Sequence, residues 1–336
     1  MFKLNENGTV MKNKAEPVKR MPFSGAGVFQ QNAGLIVGLL LICVVMSVIS
    51  PNFLSENNIL TVLRQVSINA IIAFGMTFVI LVRGIDLSVG AVMAMVGIVS
   101  AGLAVREGVP LVLAVAAGVA LGTLVGVLNG VLVTRLRLPG FIVTLATTYI
   151  ARGIALVYSD GRPIYIKEPA FNALGNESLF GVPLPIYYMA FAYIVLGIIL
   201  KKTVFGKHVY ATGGNPDAAR FSGINVSRVQ IIAYTLTGFM ASIAGVIMTA
   251  RLYSGQPSVG TNAELDAIAA VILGGASFSG GVGTLTGTLL GALTIGVLNN
   301  GLNLLGVSPF WQLIVKGIVI IVAIFFEGYR KSRSRT

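Results

Sequence analysis

The chain has 336 residues, of which 55% are hydrophobic and only 11% charged, where a soluble globular protein carries about 25% charged residues. Net charge is +12 and mean hydropathy +0.86. That is too little polar material to coat a soluble fold, which excludes an ordinary cytosolic enzyme, a disordered chain and a disulfide scaffold and leaves an all-α polytopic membrane protein.

The first thirty residues are polar and hold Lys3, Lys12, Lys14, Lys19 and Arg20. A signal peptide would begin its apolar core sooner and end at a small-residue cleavage site. Segment 1–30 therefore reads as a cytoplasmic basic arm, 31–328 as a membrane domain, and 329–336 as a cytoplasmic basic tail with Arg330, Lys331, Arg333 and Arg335. A bilayer core needs about 20 apolar residues per helix. Ten runs approach that length: 33–49, 59–82, 87–105, 110–134, 139–158, 184–200, 229–250, 263–276, 284–305 and 309–327. The eighth is short, a candidate re-entrant span. Continuous apolar runs of this length are helices, since barrel strands alternate and are about ten residues long.

Ten crossings from an inside N-terminus place 17 of the 24 Lys and Arg residues inside. Only Arg106, Arg162, Lys167 and Arg251 fall outside, as the positive-inside rule requires. The basic charge thus marks loops between spans and not a nucleic-acid surface. With Cys43 the only cysteine and His208 the only histidine, there is no internal disulfide and no Cys/His metal cluster. Walker, dinucleotide, HExxH and GxSxG patterns are absent, so the chain is not read as an enzyme, and no cofactor is expected on it. Two connections are too long for simple turns, 159–183 outside and 201–228 inside. Neither holds an energy-using domain.

Gly126-Val127-Leu128-Asn129 recurs as Gly296-Val297-Leu298-Asn299, with Pro139 and Pro309 each ten residues later. A second echo pairs 84–90 with 275–281. Internal repeats of this kind are typical of transporters. Glycines at four-residue spacing, Gly118, Gly122, Gly126 and Gly130, then Gly283, Gly287 and Gly291, read as close-packing helix faces. Asp86 opens span three as a candidate helix cap within reach of Arg83. Asn69, Asn129, Asn299 and Asn300 lie in or near spans, as helix ties or as candidates for a polar translocation path. Arg64, Arg152 and Lys316 lie within the outer half of their spans, where an unpaired cation is costly. Glu264 and Asp266, at the start of span eight, are their candidate partners, an arrangement that would join the repeat halves at an outer gate.

The stretch Ile68 to Val92 resembles the permease subunits of bacterial ABC sugar importers. So do Ala151–Tyr158 with Asp160-Gly161, Gly213–Arg220 with Ser222–Asn225, Glu264–Ala270, and Leu298–Val307 through Lys316. The last of these is nearest to the ribose-importing branch. Arg83 departs from the small residue usual in that family. The resemblance, covering about residues 50–328, implies a bacterial inner-membrane subunit that passes a monosaccharide, ribose foremost, into the cytoplasm. It implies a second permease copy, an ABC ATPase subunit carrying ATP and Mg, and an extracytoplasmic sugar-binding protein. An ion-coupled transporter or a permease for another sugar is the alternative. Pro216 suits the first turn of a short helix capped by Asn215, and on this resemblance Gly213, Gly214, Asn215, Asp217, Arg220 and Gly223 form the ATPase-coupling loop. Arg162, Lys167 and Arg251 become candidates for docking the binding protein.

Overall fold

The computed structural model describes residues 25–319 and residue 321, with side chains from Asn32 onward. The basic tail and nearly all of the basic arm lie outside the described residues. The elements run α1 (Gly25–Ile49), α2 (Glu56–Leu81), α3 (Val89–Val105), α4 (Leu111–Arg135), α5 (Gly140–Ser159), β1 (Ile164–Tyr165), α6 (Pro169–Asn176), β2 (Ser178–Leu179) and β3 (Val182–Pro183). They continue with α7 (Leu184–Lys202), α8 (Val204–Gly214), α9 (Pro216–Phe221), α10 (Val226–Arg251), β4 (Ser254–Gly255), α11 (Ala263–Leu273) and α12 (Leu285–Leu304). A last helix, α13, spans Pro309–Val319. Each of the ten apolar runs coincides with a helix, the tenth as far as the described residues reach. Seven helices among the described residues are long and apolar enough to cross a membrane, and α3 and α13 are shorter apolar ones.

The bundle has two ends. One carries α8 and α9, where Gly281 N–H donates to Leu81 O at the end of α2 (2.9 Å). The other carries α6 and an antiparallel ribbon of β1 with β4. The connection 159–183 therefore holds β1, α6 and a β2–β3 hairpin, and 201–228 holds two helices where the sequence suggested one. Helices of 6 to 11 residues are too short to stand out in a reading that looks for apolar runs of membrane-crossing length.

The repeat is inverted. Both boundaries of α10 lie 170 residues after those of α2, and both helices are capped alike. Ser55 accepts from Asn58 N–H and Asn225 from Arg228 N–H; the C-caps Val82 and Leu252 each donate to carbonyls two and four residues back. Arg83 and Tyr253, again 170 apart, both take left-handed φ, at 66° and 55°. Pro139 precedes α5 and Pro309 opens α13. Because α2 ends at the α8 end and α10 at the ribbon end, the two halves run in opposite directions. The echo of 84–90 with 275–281 is thereby overturned: the counterpart of 84–90 is 254–260, and the recurring triplet is Ser88-Val89-Gly90 with Ser258-Val259-Gly260. Glycine-rich loops match one another too easily for a short echo to fix register.

Lipid tails are as apolar as leucine, so burial from lipid drives little and close packing drives most of the association. The core accordingly sits where backbones approach. Residues 66–82 of α2 and its C-cap are almost fully buried against α10, α11 and α12. A Cβ at Gly118 or Gly122 would meet side chains of α3 and α10, and at Gly126 or Gly130 the backbone of α10. Gly287 and Gly291 pack in the same way on Gly274 and Ala270 of α11 and its C-cap. Gly283 is not part of that face: it precedes α12 with φ +151°.

Candidate translocation and coupling sites

Two spans start inside the bundle. After α2 the chain turns at Arg83, runs through Gly84–Ser88 without regular structure and only then begins α3 at Val89. After α10 it turns at Tyr253, pairs β4 with β1, and reaches α11 at Ala263. The two entry segments come from opposite ends and meet: a Cβ on Gly90 would strike the Gly260 carbonyl, and one on Gly260 would strike the Gly90 carbonyl. The 11-residue α11 rises only about 16 Å at ~1.5 Å per residue, half a bilayer core, which fits a start near the middle.

A buried polar web holds the first segment. Asp86 is fully buried, and its Oδ1 accepts from Ser88 N–H (2.9 Å) and Ser88 Oγ (2.6 Å). Asn129 Nδ2 on α4 donates to Ser88 Oγ (3.0 Å), and Thr147 Oγ1 on α5 donates to Asn129 Oδ1 (2.6 Å). Asp86 is not the cap of α3. The N-cap is Ser88, which makes no side-chain cap bond, and Asp86 instead closes a turn onto it. Its Oδ2 has no partner. Arg83 does not pair with it either.

A single stripe of α5 grips both segments. Thr144 Oγ1 accepts from Leu87 N–H (3.0 Å), Thr148 Oγ1 donates to Leu87 O (2.8 Å), and Arg152 Nη1 donates to Pro257 O and to Val259 O (2.8 Å). Residues 144, 148 and 152 are spaced i, i+4, i+8 and so share one helix face. Neither the threonines nor Gly260 stood out in the sequence, and Gly90 did so only within an echo set in the wrong register. The recurring triplet Ser88-Val89-Gly90 and Ser258-Val259-Gly260 is the signal that could have pointed to the crossing.

Close to the crossing, on the first turn of α11, Asp266 Oδ2 lies 2.9 Å from Lys316 Nζ, joining α11 to α13, with side chains 15% and 23% exposed. Glu264 lies against Gly90 and within electrostatic reach of Arg152. Replacing either partner strands a half-buried charge, so Asp266→Asn and Lys316→Met are each expected to destabilise more than the two together. Unfolding of the detergent-solubilised single and double variants should give a coupling energy of about 1–3 kcal/mol. Additive losses would show the pair to be idle. Arg64 Nε is buried without a partner. Arg251 is half-buried within electrostatic reach of Arg64, beneath α6, where Asn176 Nδ2 donates to Ala250 O (2.9 Å). It is thus no open docking cation, whereas Arg162 and Lys167 are exposed. Asn300 exchanges two hydrogen bonds with Asn58 (2.8 and 3.0 Å) and ties α12 to α2. Asn129 and Asn300 therefore serve as helix ties. Asn69 is half-buried, and Asn299 Oδ1 is buried without a partner.

At the other end, Asn215 caps α9, its Oδ1 accepting from Asp217 and Ala218 N–H (3.0 Å each), with Pro216 in the first turn. Arg220 pairs with Asp217 at 3.3 Å, both largely exposed, a contact of little energetic weight. Gly223 follows α9 with φ +82°, a conformation favouring glycine. Phe221 projects into solvent at 92% exposure. Arg83 reaches across to the C-terminus of α8, donating from Nε to Gly213 O and from Nη2 to Gly214 O (2.7 Å each). A Cβ at Gly213 would overlap Leu81 O. The α8–α9 unit is thus keyed to the end of α2 and to the residue from which the first entry segment departs.

An inverted repeat with two spans that begin mid-bundle is an architecture found in membrane transport proteins. The chain belongs to the family described as branched-chain amino acid transport system / permease component, whose model matches residues 58–324. It is 49% identical over 311 residues to the ribose import permease protein RbsC of Bacillus subtilis, covering 92% of this chain and 95% of that one. It is 45% identical to the RbsC of Escherichia coli K12 over 316 residues, 93% and 98% of the two chains. An L-arabinose ABC transporter permease of Azospirillum brasilense is 37% identical over 311 residues, 92% and 91%. No solved structure matches. The chain is a multi-pass membrane protein and a transport subunit.

Proposed function

We propose that this chain is the permease subunit of an ATP-driven ABC importer that carries ribose into the cytoplasm. The observation that carries the reading is the near full-length similarity to ribose import permeases at 45–49% identity, above the 37% to an L-arabinose permease. The basic loops support an orientation with the α8–α9 end and both termini cytoplasmic, in the bacterial inner membrane. A second permease copy completes the path, a separate ATPase subunit hydrolyses ATP with Mg, and a sugar-binding protein delivers ribose at the ribbon end. Exposed Arg162 and Lys167 suit docking of that protein's carboxylates. Uptake of radiolabelled ribose into vesicles holding permease and ATPase, with binding protein outside, tests this. ATP-dependent accumulation that L-arabinose competes with poorly is expected. Uptake that persists without ATP, or that favours L-arabinose, overturns it.

The α9 helix is the element that meets the ATPase. Phe221→Asp puts a charge where an apolar plug enters the partner, and it disturbs nothing inside this chain. It should lower ribose uptake at least tenfold while the permease stays folded. Gly223→Ala and Arg220→Glu should act in the same direction, uncoupling ATP hydrolysis from uptake. Normal uptake by all three variants would remove α9 from the coupling route.

A further inference from the structure

A groove runs along the outward face of α7 where it leaves the start of α12. Its walls are Ile194 and Ile198 on one side and Leu285 on the other, it holds about 170 Å³, and Lys201 and Lys202 close its outer end. Its floor is Gly197, where an added Cβ would meet nothing within 4 Å. At its far end Tyr193 OH and Thr286 Oγ1 are hydrogen-bonded to one another (2.7 Å), so the deep end asks for no further polar partner. Residues 193–202 cover about 13 Å of helix, apolar for two turns and cationic at the mouth. Both lysines are exposed, and neither forms an ion pair with a carboxylate among the described residues.

A void facing lipid is filled by acyl chain, and two unpaired ammonium groups at its mouth select the headgroup. We propose that this groove is a binding site for an anionic phospholipid, its phosphate on Lys201 and Lys202 and one acyl chain over Gly197 between Ile194, Ile198 and Leu285. Isolated lysines snorkelling to an interface need no groove. Here the apolar slot and the cations are continuous, which is the form of a lipid site between membrane helices. A lipid seated there would fill the gap between α7 and α12 next to the α7–α8 turn. The site is independent of the transport reading.

Native mass spectrometry of the full-length purified permease tests it, with phosphatidylglycerol, phosphatidylcholine and inorganic phosphate as separate probes, alongside thermal unfolding in detergent. Phosphatidylglycerol should be retained, and should raise the unfolding temperature, at concentrations at least tenfold below phosphatidylcholine, and inorganic phosphate should do neither. The double variant K201Q/K202Q should lose the preference for phosphatidylglycerol. Gly197→Leu keeps both lysines but fills the floor, and it should lose retention of the lipid. Both changes lie on the surface, so folding is retained. Equal retention of the two lipids, or phosphatidylglycerol binding unchanged in both variants, overturns the site. Phosphate matching phosphatidylglycerol would reduce it to a headgroup contact and overturn the groove's role.

Discussion

Gly90→Ala is expected to abolish transport and to leave a protein too unstable to purify in its native form. The new methyl group would lie well inside the van der Waals surface of the Gly260 carbonyl and close to Glu264 Oε2. The Glu264 carboxylate, at the end of a flexible side chain, can swing aside, but the Gly260 carbonyl cannot yield cheaply, being backbone at φ +72°. Overpacking a core costs about 1–3 kcal/mol and more when backbone must move, and here backbone is the obstacle. Gly260→Ala adds a left-handed penalty of about 1–2 kcal/mol to the same collision. By contrast, Gly38→Ala on α1 adds a methyl group in open space and should be silent. Thermal unfolding of the three variants in detergent, with uptake in parallel, would check this. A stable Gly90→Ala protein would mean that the two entry segments do not touch at the bilayer centre.

Arg152→Gln carries the second large effect. Arg152 Nη1 donates to both Pro257 O and Val259 O, two carbonyls of an irregular segment with no strand neighbour to satisfy them at that depth. A buried acceptor left without its donor costs about 1–3 kcal/mol. A shortened amide cannot span both carbonyls. Ribose uptake should fall at least tenfold while Leu87, held by Thr144 and Thr148, stays in place. Arg152→Lys keeps the charge and can reach one carbonyl, so it should recover part of the activity. Thr148→Val should show the mirror-image defect, loosening the first segment and sparing the second. A cysteine placed at exposed Ser258 in a Cys43→Ser background reads the difference. Its alkylation should accelerate in Arg152→Gln and not in Thr148→Val. Equal acceleration in both would mean general loosening and would end the specific role of Arg152.

Composition alone decided that this chain lies in a membrane, and the apolar runs located ten of the thirteen helices among the described residues, because hydropathy is a local property that survives without tertiary context. The short α9 with its Asn215 cap was legible for the same reason, since a cap and a Pro in the first turn are local chemistry. The cost of a lone cation at depth made Glu264 or Asp266 the candidate partner of Arg152 or Lys316; the structure pairs Asp266 with Lys316, both in the second half, so this pair does not join the two halves. The helix α8, the α6 region and the ribbon were not legible, being too short to stand out as runs.

The sequence also held the inverted repeat at an offset of 170 residues, but only the structure showed which echo was real. Register in a repeat is decided by which backbones touch, and Gly90 against Gly260 settles it. In the same way no spacing rule connects Arg152 to Pro257 or Arg83 to Gly213. Those contacts bridge more than a hundred residues of chain and join side chains to carbonyl groups, and every residue has a carbonyl. Residue types therefore determined the environment and the elements. The meeting of the two entry segments, and the single α5 face that grips both, were decided only by the fold, because they depend on backbone atoms brought together from opposite ends of the bundle.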